Sequence, residues 1–163
     1  MISTAHRYGD GGLVIEIEQE FTAARERVFH RWTDADALAR WFAPPGYLTV
    51  YSESDPRPGG GWRLVFQARS GEHHYCEQGV FREVVPFRRI ALTLIQVDGE
   101  HTNPQTLVTV ELDDVGTPER PRTLMRFTQS GYRSPALRDD NENGWRGCFV
   151  ILAHDLDHLT DLA

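Results

Sequence analysis

The sequence contains no lysine, and all 17 of its basic residues are arginines. Acidic residues outnumber them at 24, so the formal net charge is −7. Proteins that bind nucleic acid normally carry a basic excess or a clustered basic face. The only adjacent arginines, Arg88 and Arg89, follow a proline and are expected in a solvated turn. Nucleic acid is therefore not an expected partner.

Cysteines and long apolar runs are also scarce. Two cysteines, Cys76 and Cys148, are too few for the disulfide scaffold of a secreted protein, which favours a reducing compartment. No apolar run approaches the roughly 18 residues of a membrane span, and residues 1–12 lack the hydrophobic segment of a signal peptide. These absences predict a soluble, cytoplasmic protein without membrane contact.

Motifs for metal binding and nucleophilic catalysis are missing as well. His73 and His74 are adjacent, so in a strand they point to opposite faces. His154 and His158 are one helical turn apart, without the glutamate of the zinc-protease motif between them. The sequence has neither a nucleophile elbow nor a phosphate-binding loop. We predict no metal site and no cofactor, and the sequence leaves open whether the protein is an enzyme.

The sequence does have the composition of one globular domain. Of its 163 residues, 40% are hydrophobic and 25% are charged, which excludes disorder and allows a single packed core. Residues 1–12 include a glycine-rich stretch without periodicity and are predicted to form a flexible tail. Residues 13–163 are predicted to form one domain.

Hydrophobic periodicity predicts seven strands and three helices. The strand segments are 13–21, 48–54, 62–69, 74–85, 89–97, 106–112 and 123–130. Two short helices should follow the first strand, capped by Thr22 and Asp34. A polar loop over 132–143 should precede a long amphipathic helix, whose apolar stripe must pack on the sheet. The pattern predicts an α+β fold with an antiparallel sheet, because no helical crossovers separate the later strands.

Several local strings resemble one known family. They are, in chain order, VFHRWT at 28–33, LARWFAP at 38–44, PGGGWR at 58–63, GVFREVVP at 79–86, QSGY at 129–132 and GW at 144–145. Together they resemble the helix-grip or START-like superfamily, abbreviated SRPBCC, and within it the branch named after activators of the heat-shock-protein-90 ATPase. The resemblance implies a curved seven-stranded antiparallel sheet that grips the long C-terminal helix and leaves a cavity between them.

Strand alternation, together with the aromatic residues of the helices, gives a set of candidate ligand-binding residues. The set is Trp41, Phe42, Trp62, Leu64, Phe66, Met125, Phe127, Gln129, Trp145 and Phe149. Such walls suit a small apolar or aromatic ligand, but the same side chains would also form a solid core, which residue type alone favours. Only the resemblance shifts the interpretation towards a cavity.

Polar residues that could face the interior are few. Gln129 shares the parity of Met125 and Phe127, so its amide should point inward, where it would orient a ligand or bond a neighbouring backbone group. Glu77, Glu83 or His74 would face the cavity only in some strand registers, because a slip of one residue reverses the faces. A carboxyl group in such a place would have a raised pKa.

These observations support three alternative functions. The first is a protein that binds a small hydrophobic or aromatic molecule. The second is a cyclase- or dehydratase-like enzyme that uses the same cavity. The third, suggested by the resemblance, is a cochaperone-like module, although a chain of this length leaves no room for the separate N-terminal domain of the eukaryotic activators. The length therefore argues against a chaperone partner, and a homodimer through Val150 and Ile151 stays open.

Overall fold

The structure, a computed structural model, describes residues 2–9 and 12–158 of the chain. These residues form nine strands and three helices. The strands are β1 (Ile2–Gly9), β2 (Gly12–Phe21), β3 (Tyr47–Ser54), β4 (Gly61–Ala68), β5 (His74–Val85), β6 (Arg89–Asp98), β7 (His101–Thr102), β8 (Thr106–Asp114) and β9 (Thr123–Tyr132). The helices are α1 (Arg25–Thr33), α2 (Ala35–Trp41) and α3 (Pro135–His158).

All strand pairs are antiparallel, and the sheet has the order β1-β2-β9-β8-β6-β5-β4-β3, with β7 added to β6. The seven strands predicted from alternation are all present. Because β2 lies beside β9 and β3 lies at the far edge, α1 and α2 carry the chain from one side of the sheet to the other. The curved sheet and the long α3 confirm the predicted helix-grip fold.

The N-terminal segment differs from the expectation of a tail. Ile2–Gly9 forms β1, which pairs with β2 from Ile2 opposite Gln19 to Gly9 opposite Gly12. The sequence shows no alternation here, so the strand is set by the neighbouring edge of β2 and not by a local pattern. Residues 1, 10 and 11 of the predicted tail lie outside the described residues.

One of the two predicted helix caps is wrong. α1 begins at Arg25 with Ala24 as its N-cap, and no side chain caps it. Thr22 lies too far upstream, and its hydroxyl instead donates to Asp157 Oδ1 at 2.7 Å. Asp34 does cap α2, because its side chain accepts a hydrogen bond from the Ala37 amide at 3.0 Å.

The predicted loop over 132–143 is mostly helical. α3 begins at Pro135, and the hydroxyl of Ser134 accepts a hydrogen bond from the Leu137 amide at 3.2 Å. Serine before the helix and proline at its first position are a standard start signal. Most side chains of this first part are polar, so it carries little of the apolar stripe that marks the second part.

The core between sheet and helices is dominated by aromatic rings. Trp32 of α1 lies at its centre and contacts rings from α2, β9 and α3 at centroid distances of 4.7 to 6.3 Å. Those partners are Trp41, Phe42, Phe127, Trp145 and Phe149. The predicted stripe of α3 is buried as expected over Trp145–Leu156, while Leu159 lies outside the described residues.

A buried ionic cluster fixes the C-terminal half of α3. Arg31 of α1, only 2% exposed, donates from Nε to Asp155 Oδ2 at 2.8 Å, and Arg40 of α2 donates to Asp155 Oδ1 at 3.0 Å. Arg27 donates to the carbonyl oxygen of Leu156 at 2.8 Å. Since breaking a buried pair leaves an uncompensated charge, these contacts hold this half of the helix against α1 and α2.

We expect Gly79→Ala to destabilise the protein by about 2–3 kcal/mol, because a Cβ at this position of β5 would lie 1.8 Å from the carbonyl oxygen of Thr93. That carbonyl also accepts the indole N–H of Trp62 at 3.0 Å. Gly144→Ala is the matched control: nothing lies within 4 Å of its Cβ and it sits inside α3, so we expect a gain of about 0.5–1 kcal/mol. Urea denaturation measures both. Equal stability of the two variants would contradict this account.

Candidate functional site

A cavity of about 210 Å³ lies between the sheet and the first half of α3. Its walls come from the end of α2 and the following turn, from β5, β6 and β9, and from α3. The lining residues are Phe42, Pro44, Tyr75, Glu77, Leu94, Gln96, Gln129, Asp140, Asn141, Gly144, Trp145 and Cys148. Aromatic rings and polar side chains therefore share one small space.

The structure separates the predicted ligand-binding set into two groups. Phe42, Gln129 and Trp145 line the cavity. The others are buried in the packed core away from it, at 3% exposure or less; they are Trp41, Trp62, Leu64, Phe66, Met125, Phe127 and Phe149. The alternation thus identifies inward-facing residues, and most of those it selects fill the core.

Gln129 lies where the packed core meets the cavity and is 1% exposed. Its Oε1 accepts from the indole Nε1 of Trp145 at 2.7 Å and from the Tyr132 hydroxyl at 2.8 Å, and its Nε2 donates to Thr106 Oγ1 at 2.8 Å. Thr106 in turn donates to the Leu94 carbonyl at 3.1 Å. Both acceptor positions of this amide oxygen are used within the protein, so Gln129 first of all joins α3 to β8 and β9.

Glu77 supplies a carboxyl group to the cavity and is 8% exposed. It lies on the same face of β5 as Tyr75, which settles the register that the sequence left open. Its Oε2 accepts a hydrogen bond from Gln96 Nε2 at 2.9 Å. Burial raises the pKa of Glu77 to about 7, although the hydrogen bond from Gln96 opposes the shift. The group therefore changes protonation near neutral pH.

A chain of amides holds the partner of Glu77 in place. Gln96 Nε2 also donates to Asn141 Oδ1 at 3.0 Å, and Gln96 Oε1 accepts from Asn103 Nδ2 at 2.9 Å. Asn141 donates to the Leu137 carbonyl at 2.9 Å, and Asn103 contacts His101 Nε2 at 2.9 Å. Because each of these amide side chains is hydrogen-bonded to the next, the Gln96 amide that faces Glu77 has a fixed position before any ligand binds.

Two other titratable candidates, His74 and Glu83, lie outside the cavity. His74 is exposed, and Glu83 pairs with Arg89 at 2.7 Å on the outer surface. Cys76 and Cys148 are both buried and free, and burial raises the pKa of the Cys148 thiol well above its ordinary value. Across residues 2–9 and 12–158, no group of three or more His, Cys, Asp or Glu side chains is arranged to hold a metal ion.

Several cavity residues escaped the sequence analysis. Asp140, Asn141 and Gly144 were assigned to a loop or to a helix start, because the polar first part of α3 hides the helix that carries them. The Ser134-Pro135 pair is the signal that would have extended α3. Tyr75 and Gln96 lie towards the ends of β5 and β6, where alternation predicts the face of a residue but not its distance from α3.

The sheet, α3 and the space between them define a protein of the helix-grip class. The family model described as "Activator of Hsp90 ATPase homolog 1-like protein" matches residues 22–157, and the chain belongs to this family. It is part of the SRPBCC superfamily, which confirms the resemblance noted in the sequence. A search of curated proteins gave no match.

Solved structures share the fold. A crystal structure of a protein from Chromobacterium violaceum is 24% identical, with a TM-score of 0.77 over 88% of this chain and 96% of that one. The AHSA1 protein from Silicibacter pomeroyi is 21% identical, with a TM-score of 0.76 over 88% and 97% of the two chains. A solution structure from Arthrobacter aurescens is 20% identical, with a TM-score of 0.81 over 97% and 92%. These likenesses establish the fold.

Membrane insertion through a helix finds no support in the described part of the chain. None of its helices combines the length and the apolar character that crossing a bilayer requires.

The raised pKa of Glu77 predicts a pH-dependent loss of stability. The folded protein binds this proton more tightly than the unfolded chain, so the contribution is complete below about pH 4.5 and is lost as the pH rises through about 7. Relative to Glu77→Gln, the wild-type free energy of unfolding should fall by about 2–3 kcal/mol between about pH 4.5 and 8. Urea denaturation of both proteins across this range measures the difference. A difference that does not change with pH would contradict the burial of this carboxyl group.

Proposed function

We propose that the protein binds a small hydrophobic or aromatic molecule in the cavity between the sheet and α3. The observation that carries the proposal is the open space of about 210 Å³ beside the packed aromatic core, with a fixed polar group on one wall. The core itself shows that this chain packs rings tightly elsewhere. The space is therefore specific to this site and does not reflect loose packing of the interior as a whole.

The size of the cavity suits a ligand of about one ring. An engineered cavity of about 150 Å³ is enough to bind benzene, and the cavity here measures about 210 Å³. It is smaller than the pockets of roughly 300–1,000 Å³ that hold drug-sized molecules. A single substituted aromatic or alicyclic ring is therefore the class of ligand that we propose.

The apolar and the polar groups on the cavity wall would have different roles in binding. Phe42, Leu94 and Trp145 offer apolar surface, whose burial would supply most of the affinity. Glu77 and Gln96 stand on the sheet side and would orient the ring through hydrogen bonds. This arrangement, with few polar groups among apolar ones, is typical of small-molecule sites.

Ligand binding is tested by titrating the protein with phenol, benzyl alcohol and cyclohexanol while recording backbone amide NMR shifts. We expect shifts at Glu77, Gln96 and Gln129. Cys148→Met should weaken binding at least about tenfold, because Cys148 lines the cavity and the larger side chain would fill part of it. Val150→Met is the matched control on the same helix, since Val150 is 62% exposed and should leave binding unchanged. Equal affinity in both variants, or binding by none of the probes, would refute the proposal.

A second candidate function is acid–base catalysis in the same cavity, as in a cyclase- or dehydratase-like enzyme. The observation that favours it is the Glu77 carboxyl, whose pKa of about 7 suits a group that takes and returns protons at neutral pH. The alternatives of a chaperone partner and a homodimer stay predictions.

The acid–base alternative has a direct chemical probe. In 5-nitrobenzisoxazole a base removes the ring C–H proton while the N–O bond breaks, and the product is a cyanophenolate. Ionised Glu77 should accelerate this elimination, with a rate that rises with pH up to about 7 and then levels. Glu77→Gln should abolish the acceleration, and Glu119→Gln, at an exposed position away from the cavity, should keep it. Equal rates in wild type and Glu77→Gln would exclude Glu77 as the base.

A further inference from the structure

The hydrogen bonds of the cavity leave one strong acceptor open to a ligand. Glu77 Oε2 accepts from Gln96, but no hydrogen bond within the described residues reaches Glu77 Oε1. An ionised carboxylate has about four acceptor positions, and a buried one is costly unless it is well paired. Glu77 lines a space large enough for a ring, so a ligand that carries a hydrogen-bond donor could supply the partner that Oε1 lacks.

The side-chain nitrogens of Trp145, Gln96 and Asn141 on the cavity wall donate within the protein, while no hydrogen bond to a described residue involves the Tyr75 hydroxyl. The indole N–H of Trp145 is given to Gln129, and the Nε2 of Gln96 is given to both Glu77 and Asn141. A ligand that presents acceptors or a negative charge would compete with these internal bonds. A ligand that presents donors would complete the set.

The charges of the residues around the cavity also favour a ligand that carries hydrogen-bond donors. Among the residues that the structure describes, Glu77 and Asp140 are the carboxylic acids that line the cavity, and no arginine or histidine lines it. Arg133 lines a neighbouring hollow of only about 10 Å³, which shares Leu94, Gln96 and Gln129 with the cavity. Burial raises the pKa values of Tyr75, Tyr132 and Cys148 well above their ordinary ranges, so these neighbours of Glu77 stay uncharged at neutral pH.

Three aromatic rings complete the surroundings. Phe42, Tyr75 and Trp145 line the same space as the carboxyl group. Ring faces attract cations as well as apolar groups, and the attraction increases where water is excluded. An ammonium group joined to a small ring through a short alkyl link would meet a carboxylate and these rings within one cavity.

We propose that the cavity selects small arylalkylamines in their protonated form, with the ammonium group donating to Glu77 Oε1 and the ring packing against the aromatic wall. This inference rests on the proposed function, because it names the class of ligand for the same cavity. It adds a requirement for positive charge that a purely apolar pocket would not have.

The test compares benzylamine with benzyl alcohol, which share the ring and nearly the same size but differ in charge. At about pH 8 the amine is still largely protonated, and we expect it to bind at least about tenfold more tightly than the alcohol in calorimetric titrations. Glu77→Gln should remove the difference by weakening the amine alone. Glu119→Gln, which removes an exposed carboxyl group that does not line the cavity, should change the amine affinity by no more than about twofold.

A second readout needs no variant and stays valid if Glu77→Gln fails to fold. The wild-type affinity for benzylamine should rise with pH up to about 7 as Glu77 ionises and then level, while that for benzyl alcohol should stay flat. Equal affinities for the two probes, or a flat profile for the amine, would overturn the inference and leave the proposed function standing. Failure of both probes to bind would overturn the inference, and it would overturn the proposed function as well if phenol and cyclohexanol also failed to bind.

Discussion

The side-chain amide of Gln129 is the interaction on which the rest of this structure depends. It receives the indole N–H of Trp145 from α3 and the hydroxyl of Tyr132 from the end of β9, and it gives a hydrogen bond to Thr106 of β8. In a site 1% exposed, a lost partner would leave a polar atom without compensation. The amide therefore sets where α3 crosses the sheet, and the ring packing on one side and the cavity on the other follow from that crossing.

The cavity stays open because the groups around it are already bonded to each other. Gln96 is held by Asn103 and Asn141, and it holds Glu77 in turn. A move of α3 towards the sheet would close the space only by displacing these amides from their partners, at a cost of about 1 kcal/mol or more for each buried bond. The ionic cluster around Asp155 fixes the other half of the same helix. Both halves of α3 are therefore fixed, and the cavity lies beside the first half.

Periodicity in the sequence was enough to find the strands and the faces of their residues. Trp62, Leu64 and Phe66 alternate as expected and are all buried. Periodicity does not show at which level along the axis of α3 an inward-facing residue lies. That level decides whether the residue packs in the core or lines the cavity. Phe127 and Gln129 share a face of β9, yet only Gln129 lines the space. The start of α3 was missed for a different reason: its polar residues serve the cavity and its rim, so they break the amphipathic pattern by which a helix is recognised.

The energetics of Glu77 separate a structural from a functional reason for its presence. Gln96 would donate equally well to a glutamine at this position, and a glutamine would carry no cost of burying a charge near neutral pH. The carboxylate is therefore more expensive than the fold requires. Buried charged groups that destabilise the free protein are most often found at sites of binding or catalysis. There, a group that is poorly paired in the free protein gains a partner in the complex. A cationic ligand would supply the missing partner, because the unpaired oxygen of Glu77 lies on the wall of an unfilled space that is also lined by aromatic rings.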